Sequence, residues 1–399
     1  MKIRTALGIC LLYSVCALKV LGCEYTVRDM GFVDILPNPY RLYCFIQDDT
    51  PEKTTAAINQ ISYATFMDSN VRVEIINIDK LKDHPAMEYF HFWEIKSTPA
   101  AVLISPEGRS LALPIRTSSI TFNETIRSSF SSVISSPKRE EILNHIIKAY
   151  CVILLIEGED SAENKRIYEL AARTARKIAR VMSQLPKRIE EPPHIITIQK
   201  ELLPKEKLLL WSLNVNTDQL NEPQAVVIYG RGRRIGPLLE GRQITGNRLL
   251  TILSTIGLSC ECGLDRRWTM GPLLPLRWDK KIQSDVMKYQ GFDAESPKVK
   301  MEISSIVSLN FLIQTEDEGN NKSLEDILDE YSEEVLELEE ETDRTRISPA
   351  KFRELISQGS TRSKSGLNLK MVVYITVIIV LAILTGGIFI FFRARRKSS

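Results

Sequence analysis

The chain has 399 residues, 52 Lys and Arg against 50 Asp and Glu, and a formal net charge of +2. Charges this closely balanced leave no basic excess of the kind that phosphate backbones select, so nothing points to a nucleic-acid partner. Seven cysteines in so long a chain exclude a small disulfide-dense scaffold.

The N-terminus, MKIRTALGICLLYSVCALKVLGC, sets Lys2 and Arg4 before a short apolar run. This is the pattern of a secretory signal over residues 1–22. Its closing VLGC resembles a bacterial lipobox, which makes Cys23 a candidate for lipidation; ordinary cleavage near Gly22 is the alternative. At the other end, residues 371–392 carry no charge and are followed by RARRKSS. A run of that length fits the ~20 residues of a membrane-spanning helix. The basic residues at 393–399 place the short tail in the cytoplasm. The expected topology is one span with a large portion outside, in a bacterial periplasm by the VLGC reading or in the endoplasmic reticulum if the basic end is a retrieval signal.

From residue 40 the elements follow in order. YRLYCFIQ (40–47) has strand length, and TPEKTTAAINQISYATFMD (50–68) opens with Thr50 as helix cap and Pro51 at the first helical position. VRVEIINID (71–79) alternates as a strand, and HPAMEYFHFWEI (84–95) is a short aromatic helix. A strand at 100–104, a Pro106-Glu107-Gly108 turn, a strand at 110–115 and a helix from about 121 complete a β-α-β-α-β-β-α unit. The second half repeats it. At a constant offset, Pro99, Ala101, Val102, Ile104 and Gly108 match Pro223, Ala225, Val226, Ile228 and Gly232. Upstream, Tyr150-Cys151 echoes Tyr43-Cys44. A helix over 161–185, a strand at 194–198, a helix at 205–213 and a helix at 246–258 finish the repeat, so the chain reads as a tandem duplication.

That element order, with Thr98-Pro99 directly before the third strand, resembles the thioredoxin-like fold family. The resemblance implies an α/β fold of two tandem domains over 25–140 and 147–265, with Pro99 as the family's cis-proline. It also implies that Thr98-Pro99 and Glu222-Pro223 border grooves for extended partner segments. The redox members of the family carry Cys-x-x-Cys at the start of the first helix; here the corresponding stretches are QDDTPEK and EGEDSAEN, without cysteine. Ordinary dithiol chemistry is therefore not expected.

Residues 266–315 are expected to form an extended arm over the second domain and a helix at 296–314. Residues 316–343 hold fourteen acids and one base and form an acidic amphipathic helix, with Ser323 and Asp326 in capping-box positions. Residues 344–370 link it to the span. Cys260 and Cys262, spaced as Cys-x-Cys, are the remaining candidates for thiol chemistry, with a plain disulfide or two separate thiols as the alternative. YGRGRRIG (229–236) lacks dinucleotide-binding spacing and reads as a hairpin whose Arg231, Arg233 and Arg234 form a basic patch for an acidic partner. The four histidines are scattered, and no metal or cofactor motif occurs. The expected role is a membrane-anchored binding or accessory protein for an envelope or lumenal protein. The alternative is a thiol–disulfide oxidoreductase or redox relay using Cys260 and Cys262.

Overall fold

The computed structural model describes residues 25–35, 38–116, 121–185, 187–217, 220–258 and 266–315. Cys23, Cys260, Cys262, the signal, the acidic segment, the linker and the expected span lie outside them. Among the described residues no helix is long and apolar enough to cross a membrane.

Two four-stranded sheets carry the fold. The first contains β1 (Tyr40–Ile46), β2 (Val71–Asn77), β3 (Ala100–Ile104) and β4 (Ser110–Leu113) in the order β2-β1-β3-β4. The second contains β5 (Val152–Ile156), β6 (His194–Ile198), β7 (Gln224–Tyr229) and β8 (Arg233–Glu240) in the matching order β6-β5-β7-β8. In each, the first pair is parallel and the remaining neighbours are antiparallel. The connecting helices of the first unit are α2 (Glu52–Phe66), α3 (Met87–Phe92) and α4 (Phe122–Ile134). Those of the second are α6 (Ser161–Val181), α7 (Lys207–Ser212) and α8 (Gly246–Ile256). This topology, with a cis Thr98–Pro99 bond entering β3, is that of two thioredoxin-like domains in tandem. Among the described residues Thr98–Pro99 is the only cis peptide, so Pro223 does not share that geometry.

The difference in strand composition sets the difference in burial. β5 is an unbroken Val-Ile-Leu-Leu-Ile run and is buried at every position, as expected of a strand covered on both faces. β2 interleaves Arg72 and Glu74 with Val71, Val73 and Ile75, and most of its residues keep some exposure. It is an edge strand, which tolerates charge on its open side.

Four features depart from the sequence reading. First, Tyr25–Val33 belongs to the second unit, not the first. The helix α1 (Val27–Phe32) is buried throughout and shares a core with Tyr150, Tyr229 and Leu249. Arg28, 4% exposed, donates to the carbonyls of Ile147 and Ala149 at 2.8 Å each and also to Gln290. The Gly31 carbonyl accepts from the Arg231 N–H at 2.8 Å, and a Cβ on Gly230 would lie 2.2 Å from the Gly31 carbonyl carbon. Only glycine allows the two backbones to approach so closely.

Second, the Tyr-Cys echo is not a structural equivalence. Cys44 pairs with Ala101, whereas Ala225, the repeat partner of Ala101, pairs with Leu155. Tyr150 and Cys151 precede β5, and the Tyr150 hydroxyl donates to the Leu253 carbonyl at 2.6 Å. Third, a helix α5 (Pro137–Ile146), absent from the sequence reading, occupies the boundary between the units.

Fourth, the arm crosses both units rather than covering the second alone. A short helix α9 (Arg266–Thr269) leads into it. Leu274 N–H donates to the Gly232 carbonyl at 2.9 Å, and Arg234 N–H donates to the Pro272 carbonyl at 2.9 Å. A few residues on, Asn70 N–H donates to the Leu276 carbonyl and Trp278 N–H to the Asp68 carbonyl. The Asn70 amide donates to the Leu274 carbonyl and accepts from the Leu276 N–H, both at 2.9 Å. The chain then forms α10 (Lys280–Gln290) and α11 (Pro297–Thr315), whose Val299, Ile303 and Val307 enter the second unit's core. Asn70→Ala is expected to lower stability by about 1–3 kcal/mol, because it removes two hydrogen bonds and leaves the Leu276 N–H without its acceptor. A urea titration of the purified chain checks this.

Candidate functional site

In both units the loop after the first strand lies against the proline loop. In the first, Thr98 Oγ1 donates to Gln47 Oε1 at 2.6 Å. The Gln47 N–H donates to Thr50 Oγ1 at 2.9 Å, which takes the Thr50 hydroxyl away from the helix. α2 is accordingly capped at Pro51, one residue later than expected, without a side-chain cap bond. Asp48 accepts from Asn77 at 2.8 Å and pairs with Lys80 at 2.7 Å. These hydrogen bonds, led by that from Lys80, hold its carboxyl below the ordinary carboxylate range.

In the second unit Glu159 N–H donates to the Asn221 carbonyl at 3.0 Å. Asn164 clasps Gly158 through both its backbone N–H and its carbonyl, at 2.9 and 3.2 Å. A Cβ on Gly158 would stand 2.5 Å from the Pro223 nitrogen, so this loop also requires glycine at the contact. Asp160 caps α6 by accepting from the Ala162 N–H at 2.8 Å. Two clefts border Pro223. One, of about 620 Å³, is lined by Asp160, Glu163, Arg166, Glu222 and Arg242 among others. The other, of about 330 Å³, is lined by Ile156, Glu157, Lys165, Tyr168 and Thr197 among others. Pro99 and Pro223 are themselves buried, Thr98 is half-buried and Glu222 is exposed.

The expected basic patch is not a patch. Arg233 is 1% exposed and donates to the Gly271 carbonyl at 3.1 Å. Arg234 is buried and donates to the Leu213 carbonyl at 2.9 Å. Arg231 lies 4.7 Å over the Trp278 ring and pairs with Glu295. Arg231 and Arg233 are absorbed by the arm and the helix pair behind it, and Arg234 by the end of α7, because guanidinium groups can satisfy carbonyls where chain segments cross.

Neither described thiol is available for chemistry. Cys44 and Cys151 are free and buried. Burial pushes the Cys44 thiol up to about 12 and the Cys151 thiol higher still. Among the described residues no group of three or more His, Cys, Asp or Glu side chains is placed to hold a metal.

Two constellations escaped the sequence reading. A cleft of about 780 Å³ between the units is lined by Tyr89, Phe92, Trp93, Arg109, Trp211 and Val215 among others, and Phe92 remains 72% exposed. Arg109 lies 5.0 Å over the Trp211 ring and donates to its carbonyl at 2.6 Å. The dense aromatics of 84–95 were its one legible sign. The second is His145, at the end of α5, stacked on His194, the first residue of β6, at 3.6 Å between ring centroids. Glu191 stands 3.9 Å from His145 Nδ1. Desolvation, and then the neighbouring His145, lower the His194 pKa; Glu141 and Glu191 oppose them.

Scans against protein-family models and curated proteins find no match for the chain. Among solved structures, the zinc-bound form of human ERp44 aligns over 60% of this chain and 62% of its own, at 12% identity and a TM-score of 0.21. The chain thus matches less than two thirds of that protein's length. The first two thioredoxin domains of Saccharomyces cerevisiae Eps1p align over 55% of this chain and 92% of theirs, at 11% identity and a TM-score of 0.18. The corresponding domains of Naumovozyma dairenensis Eps1p align over 56% and 92%, at 9% identity and a TM-score of 0.18.

Two measurements follow from this geometry. Cys44 and Cys151 are expected to resist a thiol reagent at pH 8 in the folded chain and to react at once in guanidinium. A lowered folded pKa means that the unfolded state binds the extra proton first. The His194 contribution to stability is therefore full above about pH 6.5 and is lost as pH falls through the lowered folded value. His194→Gln is expected to flatten the fall in thermal midpoint between about pH 6.5 and 5; an unchanged slope would remove His194 as its source.

Proposed function

We propose that this protein is a membrane-anchored, extracytoplasmic binding protein that holds an extended partner segment beside the Pro223 loop, using thioredoxin-like domains that do no dithiol chemistry. The observation that carries the reading is the pairing of two clefts around Pro223 with an acid-bearing, cysteine-free loop where the family's redox members keep their thiols. A helix N-terminus favours a thiolate through its dipole and free N–H groups. Here Asp160 uses that position as a cap, so the charge is accommodated without a nucleophile.

An extended segment laid along the Pro223 loop would present side chains alternately to the two clefts. The first cleft is bounded by acids and by Arg166 and Arg242, which suits a polar or charged side chain. The second, floored by Ile156 and flanked by the half-exposed Tyr168, suits an apolar one. The two-residue alternation of an extended chain is the physical link between the clefts. The Thr98–Pro99 loop of the first unit offers a second, related surface.

Site-specific photocrosslinking from position 222 in cells tests the proposal. Pro223→Ala is expected to lower the yield of crosslinked partner several-fold while export of the chain is unchanged. An equal yield from the variant would count against the groove. Insulin reduction by the detergent-solubilised chain, with and without Cys262→Ser, separates binding from the redox alternative: turnover that disappears in the variant would favour the latter.

A further inference from the structure

α6 bears a basic stripe of which the proposed function uses only Arg166, at its N-terminal end. Between residues 170 and 188 the sequence holds Arg173, Arg176, Lys177, Arg180, Lys187 and Arg188 and no acid. Residues 166, 169, 173, 176 and 180 recur at intervals of three and four and so share one face of the helix. Four of the five are arginine, and Arg166, Arg173, Arg176 and Arg180 are all exposed. Arg166 pairs with Glu163, and Arg173 stands 3.9 Å from Glu169. No described acid pairs with Arg176 or Arg180. The opposite face of α6, with Ile167, Ala171, Ala175 and Ile178, is committed to the core. The stripe is an outward face of a helix already anchored.

The chain supplies a complement. α11 packs against the second unit, the unit that contains α6, and ends at Thr315; the acidic stretch begins at residue 316. Within 323–341, Asp326, Glu330, Glu333, Glu337 and Glu340 recur at intervals of four and three, the spacing of the arginine stripe. Leu324, Ile327, Leu328, Tyr331 and Val335 fall away from them. Fully extended, residues 316–325 reach up to ~33 Å, about the diameter of a small domain, which sets the range over which the acids can dock without displacing α11.

We propose that the acidic segment 316–343 docks along the arginine stripe of α6, tying the C-terminal part of the chain to the second domain. The docking stands apart from the Pro223 reading, since Arg173, Arg176 and Arg180 line neither cleft at that loop. Its basis is charge complementarity in matched register. Single exposed ion pairs contribute little, and several in one register contribute together. The contact should therefore be reversible and sensitive to salt.

The test uses the full chain in detergent and a glutamate-specific protease, with the rate of cleavage within 316–343 as readout. Arg173→Glu/Arg176→Glu/Arg180→Glu should be cut about tenfold faster than the parent. Raising salt from 0.15 to 1 M, which shortens the screening length from ~8 to ~3 Å, should diminish that difference. Adding Glu330→Arg/Glu333→Arg/Glu337→Arg to the triple variant should restore protection at the shared Glu325 and Glu339 bonds. The substituted arginines are exposed, so the thermal midpoint should hold; Arg→Gln at the same three positions, also faster than the parent, repeats the test without charge reversal. Equal cleavage rates in parent and both triple variants would overturn the proposal. So would protection that grows with protein concentration, which points to a second copy. Loss of sedimentation with phosphatidylserine vesicles in the variant, without a change in cleavage, would assign the stripe to a membrane instead.

Discussion

The backbone pairing of residues 272–278 with both units is the constraint on which the architecture depends. An arm that bonded only to Gly232 and Arg234 would leave the two domains joined by α5 and by local contacts such as that of Arg109 with Trp211. By continuing to Asp68 and Asn70 it also pairs with the turn that leads into β2, the edge strand of the first sheet. Tyr40, fully buried in the first unit, completes the junction by donating to the Leu273 carbonyl at 2.6 Å. Backbone pairing of this kind requires few particular side chains, which is why a segment lacking the N–H groups of Pro272 and Pro275 can still perform it where the remaining donors align.

The fused body explains the arginines. A strand crossing brings carbonyls together at its margins, and each must find a donor or water. Arg28, Arg233, Arg234 and Arg109 all donate to main-chain oxygens where two segments meet. Burial pulls the Arg28 guanidinium down to about 10, still well on the charged side of neutrality. Arginine serves here as a multi-donor bracket between chain segments. The exposed arginines of α6 are a different population, directed outward from a helix whose other face is filled.

The chemistry of the two proline loops follows from what occupies the helix starts. In both units the loop is held by side-chain bonds that a Cys-x-x-Cys would not supply: Gln47 to Thr98 in the first, and Asn164 to Gly158 in the second. The thiols that remain among the described residues are buried, Cys44 within β1 and Cys151 directly before β5, where desolvation keeps them protonated. The loops retain the close backbone contact that places them against a proline, and with it the clefts around Pro223.

The repeat, the element order, the strand at 194–198 and the proline before β3 were legible in the sequence, because strand alternation, helix periodicity and an offset match are local or linear signals. The same local signals were misleading where a residue type was frequent: Tyr150-Cys151 resembled Tyr43-Cys44, yet sheet register separates them. What only the tertiary structure decided was assignment across distance. Residues 25–33 join the second core, the arm pairs with both units, Arg233 is buried, His145 stacks on His194, and Trp211 and Phe92 line one cleft. Each of these depends on contacts between segments tens to hundreds of residues apart, and a one-dimensional pattern carries no term for which buried carbonyl or ring a side chain will reach once the sheets have closed.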